Sequence, residues 1–348
     1  MRVVVTGATG NVGTSVLRAL ADDPAVESIV GIARRRPDLQ WAKTTWVAAD
    51  VTSSDLVPLF RGADAVIHLA WLIQPSRSLT KLRAANVDGS ARVFRAVADA
   101  NVPALVYASS VGAYAAGPKN RTVDESWPTT GIPTIFYSRH KAEVESLLDR
   151  FERESPATRV VRLRPGLIFK RDAASGIRRL FIGPFLPSAL VRAGLIPVVP
   201  ALPGLRFQAV HSLDVGEAFR LAATSDARGP FNIAAEPVLD PVELGRLLGA
   251  RPVPFPAGAV RAAAAATWWL RLQPTRAGWL DMALGVPLMD TTRAREELGW
   301  RPRFGADDAL AELFDGLRDS AGVKTPPLDP QTSGPLRITE LATGIGSR

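Results

Sequence analysis

Short runs of β-branched and apolar residues alternate, in the first half of this chain, with stretches whose apolar positions recur every three or four residues. Val3-Val4-Val5 opens the series in a strand that begins at Arg2, and Val12, Val16, Leu17 and Leu20 mark one face of a following helix. Further strands are expected at residues 28–33, 45–49, 65–70, 104–108 and 159–164, with helical patterns between them, the longest spanning residues 78–100. Strands this continuously apolar, separated by helices, predict an α/β fold: a doubly wound parallel sheet covered on both faces.

The texture changes beyond Pro165-Gly166, where proline-rich segments such as Gly183-Pro184-Phe185-Leu186-Pro187 appear. Residues 1–165 are therefore expected to form a dinucleotide-binding domain, and residues 166–319 a smaller C-terminal region that caps a substrate. Within the latter, segments near 206–233 look like returning strands: 209–211 and 231–233 could rejoin the sheet or its edge. Residues 257–270 predict a lid or core helix; with Arg261 inside and Arg271 behind, it falls short of the roughly 20 apolar residues a membrane span needs, so no stable membrane insertion is expected. From about Ser320 onward Pro, Gly, Ser and Thr dominate, and the tail 320–348 is expected to be extended or mobile.

The turn after the first strand carries the first chemistry. In Thr6-Gly7-Ala8-Thr9-Gly10-Asn11-Val12-Gly13, Gly7 permits a tight turn, Gly10 lets backbone approach a phosphate, and Gly13 lets the helix pack near the sheet. A helix N-terminus at that point offers free N–H groups and the positive end of its dipole to an anion.

Composition narrows the function classes. With 348 residues, 47% hydrophobic and 22% charged, the chain has the makeup of a globular protein of one or two domains. Cysteine is absent and only three histidines occur, so thiolate metal sites and disulfides are excluded and a metal enzyme is not expected. The net charge of +8 is spread along the chain without a basic stripe or interleaved aromatics, so no nucleic-acid partner is expected. No secretory pattern precedes the first strand, and a cytoplasmic location is expected.

Tyr137-Ser138-Arg139-His140-Lys141 begins a helical pattern, and the four-residue spacing puts Tyr137 and Lys141 on one face. A phenol ionises near pH 10 in water, so it exchanges protons at neutral pH only when its anion is stabilised, and a nearby ammonium does that. Ser109-Ser110 follows the fifth strand, at the carboxyl edge where doubly wound sheets bind ligands.

Taken in order, several segments resemble the extended short-chain dehydrogenase/reductase superfamily, in its NAD-dependent epimerase/dehydratase group, over roughly residues 1–315. They are the glycine turn, Asp50-Val51, His68-Leu69-Ala70, Asn86-Val87-Asp88-Gly89, Ser109-Ser110 through Tyr114, Tyr137 to Lys141, Arg164-Pro165-Gly166, His211 to Asp214-Val215, and Leu298-Gly299-Trp300-Arg301-Pro302. The resemblance implies a Rossmann-type fold in which Ser110 orients a substrate oxygen, Tyr137 exchanges its proton, and Lys141 binds the nicotinamide ribose while lowering the tyrosine pKa. It further implies that Gly7, Thr9, Gly10, Asn11, Val12 and Gly13 cradle the pyrophosphate, that Asp50 and Val51 meet the adenine, and that Leu69, Ala70, Asn86, Ser109 and Pro165 flank the dinucleotide. Relatives pair through two long helices, which here implies a homodimer joined by residues near 80–100 and 136–153.

At the end of the second strand, where an acidic residue would bind the adenosine ribose of NAD, this chain has Ala33-Arg34-Arg35-Arg36. Arg34 and Arg35 suit the additional phosphate of NADP, so NADP(H) is favoured over NAD(H). Val111-Gly112-Ala113 after Ser110 lacks the acids of a sugar-nucleotide dehydratase. Arg164 replaces the asparagine, and Phe207 the diphosphate-binding arginine, that the resemblance leads one to expect in an epimerase. Phe181, Phe185, Leu186, Leu195, Ile196, Trp268 and Trp269 make the cap apolar, and Trp71 to Pro75 follow the fourth strand at the ligand edge. The expected function is hydride transfer between a secondary alcohol and a carbonyl on a largely apolar small molecule. The alternatives are a nucleotide-sugar epimerase with tightly bound NAD and a non-catalytic dinucleotide sensor.

Overall fold

A computed structural model describes residues 1–74, 77–182 and 197–333. Among them the strands are β1 (Arg2–Thr6), β2 (Ser28–Ala33), β3 (Thr44–Ala48), β4 (Ala65–His68), β5 (Ala104–Ala108), β6 (Thr122–Val123), β7 (Arg159–Pro165), β8 (Leu167–Phe169), β9 (Val198–Ala201), β10 (Ala209–His211), β11 (Gly229–Ile233), β12 (Arg251–Pro254) and β13 (Leu288–Met289). Seven of these form one sheet in the order β3-β2-β1-β4-β5-β7-β11, with every pairing parallel. Strand order reverses between β1 and β4, the switch point at which such sheets bind ligands. The fold is thus the doubly wound, Rossmann-type α/β architecture expected.

Helices α1 (Asn11–Asp22), α2 (Val57–Phe60), α3 (Leu79–Arg83), α4 (Gly89–Asp99) and α5 (Phe136–Glu154) lie in the crossovers. Val3 and Val5 face a core shared with α1, the helix Ser212–Thr224 and Trp300, whereas Val4 faces a second core shared with α2, α4 and α5. Alternate side chains of one strand thus reach opposite apolar layers, which is why the strands read as unbroken hydrophobic runs.

The sheet differs from expectation in detail. The third strand lies one residue earlier, and the fourth ends at His68 because the chain there bends over the glycine turn: the Leu69 N–H donates to the Thr6 carbonyl at 3.1 Å. His68 is fully buried and satisfied, with Thr6 Oγ1 at 2.7 Å from Nδ1 and Ser90 Oγ at 3.0 Å from Nε2. The single helix expected over 78–100 is interrupted by a wide π turn at Ala84–Asp88. Such turns often mark functional positions; this one carries Asn86.

Of the two segments expected to return, only β11 joins the sheet, at its edge beside β7. β10 pairs with β8 instead, outside the main sheet. Gly166 makes that pairing possible, since a Cβ there would come within 2.5 Å of the Gln208 carbonyl oxygen.

Two expectations about the C-terminal half are corrected. The helix Ala257–Trp269 has no fully buried residue and so is not a core element; its half-buried positions, Ala257, Val260, Ala264, Thr267 and Trp268, fall along one face. Residues 320–333 are packed rather than extended. Thr325 and Leu328 are buried, and the Thr325 hydroxyl donates to the Thr9 carbonyl at 2.9 Å. Gly176 contributes by lacking a side chain, because a Cβ there would lie 3.1 Å from the Pro327 carbonyl oxygen. Residues 334–348 lie outside the described residues. Among the described residues, no helix is long and apolar enough to cross a membrane.

Candidate active site

β1 runs directly into Gly7, whose φ of +73° lies in the left-handed region that favours glycine. Its N–H donates to the Ile32 carbonyl at 2.9 Å, and a Cβ would lie 2.7 Å from the Ala70 nitrogen, so Leu69 and Ala70 are pressed against the turn. A Cβ on Gly13 would lie 2.5 Å from the Gly7 and Ala8 carbonyl oxygens, which is how α1 seats on the loop. Gly10 is different: the nearest protein atom to a Cβ there is 3.4 Å away, ordinary contact, so packing within the chain does not demand glycine.

No side chain caps the first turn of α1, and that turn holds no acid. Its N–H groups and dipole suit a pyrophosphate, and the absent Cβ atoms keep the approach open, so these residues fit a dinucleotide. The side chains of this loop are engaged elsewhere. Asn11 Nδ2 donates to the Ile168 carbonyl at 3.1 Å while its Oδ1 is buried without a partner, Thr9 is buried, and Val12 packs on the core.

At the other end of the groove, Arg34, Arg35 and Arg36 follow β2, are exposed, and form no ion pair among the described residues. Asp50 lies beyond β3. One of its carboxylate oxygens accepts the Thr52 N–H at 2.9 Å and the Thr52 hydroxyl at 2.8 Å, leaving the second oxygen outward. Val51 is buried, and its carbonyl accepts Arg92 Nε at 3.0 Å.

Ser110, Tyr137 and Lys141 converge beyond the end of β5. The Ser110 hydroxyl is in hydrogen-bonding reach of the Tyr137 phenol and accepts the Gly112 N–H at 3.0 Å. Lys141 Nζ lies 5.9 Å from the Tyr137 ring centre and donates to the Ala108 carbonyl at 2.5 Å and to the Tyr107 hydroxyl at 3.3 Å. One turn of α5 therefore carries both side chains to the serine at the strand end.

Burial pushes the Tyr137 phenol above its ordinary pKa, outweighing the opposite pull of the Ser110 hydrogen bond. The expected lowering by Lys141 is thus not seen in this state. Burial also holds the lysine below its ordinary pKa, against the Glu145 charge.

Ser109 and Asn86 are turned to other tasks. The Ser109 hydroxyl donates to Glu145, whose carboxylate also receives Arg162 Nη1 at 3.0 Å, Arg164 Nε at 2.9 Å and Arg164 Nη2 at 3.0 Å. Burial alone would raise the Glu145 pKa, yet the bonds and charge of Arg164, then the charge of Arg162 and the Ser109 bond, bring it down to about 2. Arg164 also donates to the Tyr114 hydroxyl at 3.0 Å and the Glu125 carbonyl at 2.9 Å, so it faces inward. Asn86 grips the backbone of Leu72 from both sides, accepting its N–H at 2.7 Å and donating to its carbonyl at 2.8 Å.

An aromatic wall stands over the tyrosine. Trp279 lies 5.0 Å from the Tyr137 ring, Phe181 5.0 Å from Trp279, and Trp71 5.9 Å edge-on to Tyr137. Of the residues expected to make the cap apolar, Phe181 joins this wall; Trp268 is stacked between Arg77 and Arg276, and Trp269 is 75% exposed. Pro75, Phe185, Leu186, Leu195 and Ile196 lie outside the described residues. Glu145 and Trp279 were not anticipated. Glu145 had one readable signal, the repeat of Tyr137, Lys141 and Glu145 every four residues along one helix face.

The chain is 28% identical over 326 residues, 93% of its length, to an uncharacterized protein of Mycobacterium bovis, of which it spans only 31%. It is 27% identical over 333 residues to the 4-hydroxy-2-methyl-3-oxo-4-farnesyl-3,4-dihydroquinoline-1-oxide ketoreductase of Stigmatella aurantiaca, covering 90% of this chain and 96% of that one. Among solved structures, the UDP-N-acetylglucosamine 4-epimerase of Methanobrevibacter ruminantium, in complex with UDP-N-acetylmuramic acid, superposes with a TM-score of 0.68 at 20% identity, covering 92% of this chain and 98% of that one. That likeness is one of fold. The model of the NAD dependent epimerase/dehydratase family matches residues 3–234, and with the glycine turn, the sheet order and the strand-end cluster already in place, the chain belongs to that family.

Proposed function

We propose that this protein is a nicotinamide-dependent oxidoreductase that interconverts a secondary alcohol and a carbonyl on a largely apolar small molecule, with NADP(H) as the preferred cofactor. The observation that carries the reading is the convergence of Ser110, Tyr137 and Lys141 at the end of β5, beneath an aromatic wall. When bound, the nicotinamide supplies or accepts the hydride. Ser110 holds the substrate oxygen, Tyr137 gives that oxygen its proton during reduction or takes it during oxidation, and Lys141 orients the cofactor ribose. Trp279 and Phe181 exclude water from the phenol and favour an apolar carbonyl compound. Pairing of two copies through α4 and α5, and a cytoplasmic location, belong to the same proposal.

The epimerase alternative draws less support from the site. Phe207 is paired along its backbone with Leu239 and packs on the C-terminal core, and Arg206 Nη1 donates to the Lys119 carbonyl at 2.7 Å. Mass spectrometry of the purified protein, together with a panel of apolar ketones, separates the readings. We expect little retained NAD and turnover that requires added NADPH. Retained NAD with turnover of nucleotide sugars in the absence of added cofactor would establish the epimerase, and NADP(H) binding without any turnover the sensor.

Cofactor choice has its own test. The exposed, unpaired guanidiniums after β2 are expected to meet the additional phosphate of NADP, each charge-assisted bond contributing about 1.5–3 kcal/mol. Replacing Arg34 and Arg35 together by alanine should raise the KM for NADPH about tenfold or more and leave that for NADH nearly unchanged. An equal rise for both would remove the arginines from cofactor selection.

A further inference from the structure

Lys141 is fully engaged by groups of its own chain. An ammonium has three N–H donors. Two are directed to the Ala108 carbonyl and the Tyr107 hydroxyl, and the face of the Trp71 indole covers Nζ at 3.6 Å from its ring centre. The first two partners belong to β5 and cannot leave without disturbing the sheet. The third is a single side chain on the loop that follows β4.

The indole also packs against the apolar core beneath β4 and stands edge-on to Tyr137. Its Nε1 is buried without a hydrogen-bond partner, a cost that a better-satisfied position would relieve. The backbone on its C-terminal side is fixed independently: Asn86 grips Leu72 from both sides, and Gln74 Nε2 donates to the Leu180 carbonyl at 2.9 Å. Displacing the ring therefore calls for a turn about its own side-chain bonds rather than a movement of the loop. Trp71 also stands edge-on to Tyr137, so the same rotation changes the wall of the substrate pocket.

We propose that Trp71 is a built-in competitor for the nicotinamide ribose: its indole occupies the third donor of Lys141, and cofactor binding drives the ring off the ammonium. This inference rests on the reading that Lys141 holds the ribose. It makes cofactor affinity lower than the pocket alone would give, because only molecules with the ring displaced are competent to bind.

The test is calorimetric titration of NADPH and NADP⁺ into wild type, W71L and W71F, with indole emission followed in parallel. Leucine keeps apolar bulk but offers no π face, so W71L should bind about three- to thirtyfold more tightly than wild type. W71F, with a weaker π face, should fall between them and keeps the proposal testable should the leucine variant fold poorly. The emission change on NADP⁺ binding should be larger in wild type than in W71F, by the contribution of Trp71 itself. Affinities equal within twofold and identical emission changes would overturn the competitor while leaving the site reading intact, as would weaker binding by both variants. If wild type and variants alike bind neither NADP(H) nor NAD(H), the reading of the site falls, and this inference with it.

Discussion

Replacing Tyr137 by phenylalanine is expected to lower turnover by about two to four orders of magnitude while changing cofactor affinity less than twofold. The substitution removes one oxygen from a ring otherwise held by packing. Trp279 sits 5.0 Å from the ring centre, and a Cβ on Gly112 would come within 2.9 Å of Tyr137 Cε1. Glycine at position 112 lets the ring lie close against the turn after Ser110, and phenylalanine fills the same space. What is lost is the group proposed to give or receive the proton of the substrate oxygen. Lys141 keeps its bonds to Ala108 and Tyr107, so the proposed ribose contact is undisturbed. Steady-state rates and a titration of NADPH into Y137F check both halves. Activity within tenfold of wild type would assign the proton to another group.

The parts of this site that the sequence made legible are those set by short-range physics. Gly7 and Gly13 are readable because a side chain at either would collide with backbone a few residues away or across the turn. Tyr137 and Lys141 are readable because helical periodicity alone puts them on one face. The strands are readable because burial on both faces leaves no polar alternation to confuse them with surface segments.

What escaped depends on register between distant strands. The pairing of Tyr107 with Arg162, and of Ala108 with Leu163, carries Arg162 and Arg164 beneath α5, where they meet Glu145. In the sequence, Arg159-Val160-Val161-Arg162-Leu163-Arg164 reads as a strand, but nothing local says where its arginines point or marks Glu145 as their partner. The helix Ala257–Trp269 departs in the opposite sense, since its apolar composition suggested a core position whereas the chain covers only one face of it, and that partly. Residues 320–333 were misread because loop-rich composition says nothing about two well-placed anchors, Thr325 and Leu328.

That hidden ion network yields the second large effect. Glu145 is 0% exposed and is the one carboxylate touched by both Arg162 and Arg164. Glutamine at this position keeps the shape and one acceptor but leaves two buried guanidiniums short of charge. Arg162 retains Asp149, at 2.6 Å, and Glu152, both partly exposed, whereas Arg164 keeps only neutral acceptors. Breaking a buried pair in this way costs about 3–5 kcal/mol, so E145Q should unfold at a markedly lower urea concentration at pH 7.

The dependence on pH follows from the depressed pKa. Glu145 titrates near 2 in the folded chain against 4.5 for the free side chain, so its stabilising contribution is complete above about pH 4.5 and is lost as pH falls toward 2. The gap between wild type and E145Q should therefore narrow through that window, by on the order of 3 kcal/mol in total. Paired urea titrations at pH 7 and pH 3 measure it, because the other carboxylates act equally on both proteins. A gap that stays constant between the two pH values would mean that glutamine destabilises by misfit rather than by loss of charge, and the charge-pairing account of Ser109, Arg164 and the end of β5 would fail.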